Sequence, residues 1–293
     1  MRTDGPVVIA LDGSLLSDRT LEWGLREAER RGADAVLVRA WTEPDEYALG
    51  GWFPTLGDTG DDGEAKDYLD AVLARETARR PDLRITSALL HGQVVPELRT
   101  QSDDAQLLVV GPGPSRRPGH VAMHLAAHAR CPVAVVRDHG ESAPGAATGK
   151  VGAVVVGVDG SRASLGAAET AARAANARGA VLRLVHARPT SPAPFGPDYV
   201  PPLSDNAATD PAHRSARAVA ESLLAHHPDL EVETVLVDED PARAILAAAR
   251  GAQLVVVGSR GLGAFRGMLL GSVSHEVVRD AACTVLVEHR DED

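Results

Sequence analysis

The chain has 293 residues, 44% of them apolar, which suits two packed domains of ordinary size and excludes a disordered polymer. Its net charge of −11 divides into −6 over residues 1–140 and −5 over 141–293. Neither half has the basic surplus of a nucleic-acid-binding protein, so any polyanion must be held by local geometry.

No apolar run approaches the roughly 20 residues of a membrane span. Met1-Arg2-Thr3-Asp4-Gly5-Pro6 lacks the apolar stretch of a secretory signal. A soluble, cytoplasmic protein without a membrane partner is the expectation. Cys131 and Cys283 are the only cysteines, too few for a disulfide framework. Each precedes a short apolar run, which favours a buried thiol entering a strand over redox chemistry.

In chain order, apolar runs predict strands near 6–11, 34–40, 83–90, 106–110 and 132–136. A second set follows near 152–158, 180–187, 230–237, 252–257 and 283–288, with helices near 161–178, 207–226, 241–250 and 271–281. The sets are copies. Val8-Ile9-Ala10-Leu11-Asp12-Gly13-Ser14 returns as Val155-Val156-Gly157-Val158-Asp159-Gly160-Ser161, 147 residues on. Ala105 to Gly111 returns as Ala252 to Gly258 with the same offset. Domains over 1–138 and 150–293 follow, joined by a Gly-, Ala-, Ser- and Pro-rich linker from Asp138 to Gly149. Two long loops, Thr42 to Asp62 and Pro189 to Asn206, interrupt the plan at equivalent places. The first holds Trp52-Phe53 and the acids Asp58, Asp61 and Asp62, with Glu64 just beyond it. Both read as solvated, mobile segments ahead of partner sites.

Strands alternating with helices predict an α/β fold, two tandem doubly wound domains with parallel sheets and helices on both faces. Continuously apolar strands such as Leu254-Val255-Val256-Val257 fit a sheet covered on both sides. After Val257 comes Gly258-Ser259-Arg260-Gly261, then nine residues, then Gly271-Ser272 opening a helix. Glycines let main-chain N–H groups approach an anion, and the helix start adds free donors and a positive dipole end. Ser259, Ser272 and Ser274 add hydroxyls, and Arg260 or Arg266 adds charge. The plain alternative is a flexible connection, including Gly263 and Gly267. Asp159 ends the first strand of its domain. With strand order 3-2-1-4-5, Asp159 and Gly258 line the crevice where chain direction reverses, a preferred ligand position. The alternative for Asp159 is a helix N-cap shared with Ser161.

These motifs resemble the ATP-binding branch of the universal stress protein family, over nearly the whole chain as two copies. The resemblance rests on Val158-Asp159-Gly160-Ser161, Leu184-Val185-His186-Ala187 and Gly258-x2-Gly261-x9-Gly271-Ser272. It implies five-stranded parallel sheets, a bound adenine nucleotide, and dimerisation that often uses the last strand, here Thr284 to Glu288. With two copies per chain, that pairing arises within one protomer or between two. Asp159 is placed beside the adenosine, Ala187 offers its backbone to adenine, and Gly258, Gly261, Gly271, Ser272 and Val273 surround ribose and phosphates. Arg260 lies outside the matching frame and is assigned by charge alone.

The first copy departs from this pattern. Its loop reads Pro112-Gly113-Pro114-Ser115-Arg116-Arg117-Pro118-Gly119-His120 and is five residues shorter, setting Gly119 opposite Gly271 and Pro114 opposite Gly261. Prolines remove N–H donors, so little or no ATP binding is expected there and a structural role instead, although Arg116-Arg117 suit a smaller anion. His120, His124 and His128 share one helix face. That face reads as a metal pair lacking further ligands or as a solvated surface.

Chemistry has few candidates. No Asp or Glu lies between Gly258 and Ser274, and Glu276 stands a turn further on. GxxxxGK[ST], Ser-Gly-Gly-x-Asp-Ser and Gly-x-Ser-x-Gly motifs are absent. The expectation is an ATP-dependent regulatory or sensor module. The alternatives are a slow ATPase with Mg²⁺ held by the phosphates and Asp159, and a nucleotide-free dimeric adaptor.

Overall fold

A computed structural model describes residues 4–14, 16–42, 62–113, 118–137, 152–188, 211–261 and 270–289. The linker, Trp52-Phe53, Asp58, Asp61 and the Pro189–Asn206 loop lie outside these residues. The first repeat runs β1 (Val7–Ala10), α1 (Ser17–Arg31), β2 (Ala35–Trp41), α2 (Asp62–Arg79), β3 (Ile85–His91), α3 (Val94–Gln101), β4 (Leu107–Val110), α4 (His120–His128) and β5 (Val133–Val135). The second runs β6 (Val154–Gly157), α5 (Arg162–Asn176), β7 (Leu182–Ala187), α6 (Pro211–His226), β8 (Val232–Val237), α7 (Pro241–Ala248), β9 (Leu254–Gly258), α8 (Ser272–Asp280) and β10 (Thr284–Glu288).

The chain divides into two compact units, one comprising Met1–Asp138 with Thr284–Asp293, the other His139–Cys283. In the first, five parallel strands follow the order β3-β2-β1-β4-β5. β10 then adds to β5 antiparallel, with Val285 opposite Val135 and Val287 opposite Val133. The last strand of the second repeat is thus grouped with the first unit, paired to its counterpart within one chain. In the second unit the parallel order is β8-β7-β6-β9.

The sequence explains these layers. β4 and β9 are buried along their whole length, as expected when helices cover both faces. α5 lies against β6 and β9 and buries Ala167, Ala168, Ala171 and Ala175 completely. Side chains this small let the helix approach the sheet closely. α3 packs on α4, α5 on α6 and α7 on α8. α1 and α2 are tied by Arg80, which pairs with Glu22 at 2.6 Å, with Glu29 at 3.1 Å and with buried Glu76.

Both units repeat small hydrogen-bonded devices. Gln106 Nε2 donates to the Gly5 carbonyl and Gln253 Nε2 to the Gly152 carbonyl, each at 2.6 Å. Gly13 and Gly160 hold φ of 74° and 86°, a left-handed turn that glycine enters freely. That turn carries the chain from the ends of β1 and β6 into the following helices.

Candidate functional site

In the second unit, parallel strands bring their carboxyl ends to one edge. Asp159 follows β6 there, and its Oδ1 accepts from the Ser161 amide at 2.9 Å, a local turn that acidic residues favour. The cap of α5 is Ser161, whose side chain accepts from the Ser164 amide at 3.1 Å. Asp159 therefore shapes the turn, while Ser161 caps the helix. Ser164 is the residue that sequence reasoning missed. It is buried, its hydroxyl receives the Asp159 amide at 3.3 Å, and it donates to the Ser161 carbonyl at 3.0 Å. The shared spacing Asp12-Gly-Ser-x-x-Ser17 and Asp159-Gly-Ser-x-x-Ser164 was the available signal.

The loop after β9 meets this turn. A Cβ added at Gly261 would overlap Asp159 Oδ2, so only glycine lets the two approach this closely. A Cβ at Gly258 would lie 2.9 Å from the Ala163 carbonyl carbon, which fixes the end of β9 against the first turn of α5. Across the loop, the Gly271 amide donates to the Ser259 carbonyl at 2.8 Å. A Cβ at Gly271 would stand 3.6 Å from the Arg260 Cα and 3.8 Å from the Gly261 nitrogen. Buried Ser274 donates to the Gly258 carbonyl at 2.6 Å and pins α8 to the strand end. Gly271 caps α8, so its first amides, from Ser272 and Val273 onward, open toward the loop.

Asp159, Gly258, Arg260, Gly261 and Gly271 are thus brought together, with exposed Ser272 and half-buried Val273 at the helix start. Ala187 shares the carboxyl edge at the end of β7, in register with Val237 of β8. Its neighbour His186 is held by a 2.8 Å contact from Nδ1 to the Val158 carbonyl. Gly263, Arg266 and Gly267 lie outside the described residues. The first amides of α8, which have no partner within the helix, are the donors this arrangement offers an anion; the space left by the missing Cβ of Gly261 is taken by Asp159 Oδ2.

The first unit keeps the same turn. Asp12 Oδ1 accepts from the Ser14 amide at 3.0 Å and the Ser17 hydroxyl at 2.6 Å. Burial works against its charge, but these bonds outweigh it and hold the carboxyl below the usual range. Beside this turn the described residues leave a space above β1 and β4. A cavity of about 510 Å³ remains, lined among others by Leu11, Asp12, Val38, Arg39 and Val110. Arg39 sits beside the Gly13 turn, 4.9 Å from the centre of the Tyr68 ring. Burial, chiefly, raises the Tyr68 pKa. Pro114, Ser115, Arg116 and Arg117 lie outside the described residues.

The histidine face on α4 is real but closed on itself. His124 and His128 stack at 3.9 Å and 8°, and His120 stands 5.7 Å from His124. Among the described residues no group of three or more His, Cys, Asp or Glu is placed to hold a metal ion. Both cysteines are buried. Among the described residues no helix is long and apolar enough to cross a membrane.

Comparison with known proteins agrees with this architecture. The family model described as "Universal stress protein family" matches residues 5–137 and again 151–289. Universal stress protein Rv1996 of Mycobacterium tuberculosis is 32% identical, covering 98% of this chain and 95% of its own. Universal stress protein Rv2623 of the same species is 31% identical over 96% and 95%. A crystal structure of a universal stress protein from Archaeoglobus fulgidus superposes with a TM-score of 0.69 at 20% identity, covering 98% of both chains. With two tandem family matches and relatives aligned over nearly the whole chain, the chain belongs to the universal stress protein family as a tandem two-domain member.

Proposed function

We propose that the second unit binds an adenine nucleotide, ATP, and that the protein acts as a nucleotide-dependent regulatory module. The observation carrying this reading is the meeting of Gly261 with Asp159 at the capped start of α8, where the Gly271 amide ties the helix to the Ser259 carbonyl. Asp159 provides a carboxylate for ligand hydroxyls. The amides of the loop and of α8 provide donors for phosphate oxygens, with Arg260 adding charge. Ala187 offers backbone at the neighbouring strand end. When Mg²⁺ accompanies the nucleotide, it offsets phosphate charge.

A regulatory role suits this arrangement better than turnover, since no Asp or Glu lies between Gly258 and Ser274 and Asp159 reaches the loop from β6. Isothermal titration tests the reading. One ATP per chain is expected, with binding abolished in Gly271→Val. Two sites per chain, or unchanged affinity in that variant, would overturn the assignment. The same carboxylate is what favours a slow ATPase as second reading. Multiple turnovers with ATP and Mg²⁺ that vanish in Asp159→Ala would favour it.

A further inference from the structure

The two units also differ at the opposite edge of the sheet, where the parallel strands begin. Val36 of β2 stands in register between Val8 and Thr86. In the second unit, 147 residues on, Arg183 of β7 stands in register between Val155 and Glu233. The second unit thus lays a cation of its own across this stretch of sheet. The Arg183 guanidinium lies 2.9 Å from the Glu233 carboxylate and donates to the Ala248 carbonyl at 3.0 Å. Val36 has no polar group in its side chain and Thr86 has only a hydroxyl. Here the first unit holds a cavity of about 390 Å³, bordered by both residues. That volume is within the roughly 300–1,000 Å³ of small-molecule sites.

Charge selects among small molecules. Arg31 and Asp34 border the cavity from the end of α1 and the turn into β2, Arg84 from the residue before β3, and Asp4 from the segment leading into β1. Arg31 is already paired with buried Glu27 at 2.8 Å. Arg84 stands 3.5 Å from Asp34 with both side chains well exposed, a loose pair that contributes little and is readily exchanged for other partners. The described lining therefore sets two carboxylates, Asp4 and Asp34, against one exchangeable cation, Arg84. A ligand with a cationic head and a carboxylate matches that set, and the planar fork of a guanidinium suits carboxylate acceptors best.

We infer that this cavity binds a free amino acid carrying a guanidinium, which takes in the first unit the place that Arg183 fills in the second. The guanidinium sits on the carboxylates of Asp34 and Asp4, beside the Thr86 hydroxyl, and the ligand carboxylate draws Arg84 away from Asp34. The second unit has no such site, because its own arginine occupies the position. Binding here is separate from the nucleotide reading of the second unit and does not rest on it.

The probes are L-arginine and agmatine, which share the guanidinium and differ in the carboxylate. Isothermal titration of L-arginine into the full chain is expected to saturate near one per chain, with a Kd below about 1 mM. Agmatine should bind roughly fivefold more weakly, and Arg84→Gln should remove that difference. Val36→Arg combined with Thr86→Glu copies the second unit's ion pair into the first and should weaken L-arginine by about tenfold or more. Asp34→Asn leaves the cavity open and should weaken L-arginine roughly fivefold; it carries the test alone if circular dichroism shows the double variant unfolded. No saturation by about 10 mM L-arginine, or unchanged affinity in Asp34→Asn, would overturn the inference. Agmatine binding as tightly as L-arginine would overturn the place given to the ligand carboxylate, and with it the amino acid.

Discussion

Replacing Gly261 by valine probes the loop where it is tightest. The new Cβ would overlap Asp159 Oδ2 and stand 3.5 Å from its Cγ. Either the carboxylate turns or the loop retreats. Turning the carboxylate breaks the 2.9 Å bond from the Ser161 amide. A hydrogen bond to a charged group contributes about 1.5–3 kcal/mol. Retreat keeps that bond but must be undone on binding, at a cost no larger than turning the carboxylate, so it raises the ATP Kd by up to roughly 150-fold. Titration calorimetry reads the second outcome, and the urea midpoint of the ligand-free protein reads the first. Gly261→Ala carries the Cβ alone and should show most of the effect. Both variants keeping affinity within about threefold, with an unchanged midpoint, would refute the reasoning, because the contact would then carry no energy.

Gly258→Ala places a Cβ 2.9 Å from the Ala163 main chain, and should cost about 1–3 kcal/mol of stability by overpacking, measured by urea unfolding. On α4, burial foremost, then the charges of His128, His120 and Arg99, lowers the His124 pKa below 6.5. The unfolded chain therefore takes up this proton first. Stability contributed by the neutral ring is complete above pH 6.5 and is lost as pH falls through the folded-state value. Urea midpoints at pH 7.5 and 5.5 should differ less in His124→Gln than in the unmutated protein. The Cys131 thiol, only 4% exposed, has its pKa pushed up to about 12 by burial. It should resist iodoacetamide at pH 8 until denaturant is added. Rapid native-state alkylation at Cys131 would contradict that packing.

Much of the architecture was legible because it repeats. Leu254 to Val257 is apolar without a break and is recognisable as an inner strand before any partner is known. The 147-residue offset then transfers each element between copies. The loop glycines were visible as a spaced set between a buried strand and a helix, but the sequence left close backbone approach and a flexible connection both open. The pairing of β10 with β5 was legible only through the family resemblance, which left it open within one chain or between two. An antiparallel neighbour some 150 residues away leaves no local pattern, and both strands are equally apolar. Ser17 and Ser164 were overlooked because a serine in the first turn of a helix looks like surface, yet both are buried. The first unit's cavity escaped for the converse reason. Three prolines in a shortened loop report missing donors, but they do not report whether Val94, Leu98 and Val121 close the space beneath. Only the packed structure answers that.

The central claim is that a single phosphate-binding cradle per chain, at the start of α8, holds an adenine nucleotide. Mass spectrometry of small molecules released from the purified protein, with quantitation against protein concentration, addresses ligand identity and number together. The account predicts adenine nucleotide approaching one per chain, or reaching one after ATP is supplied, and none in Gly271→Val. Protein that releases no nucleotide and takes up none from saturating ATP would contradict it.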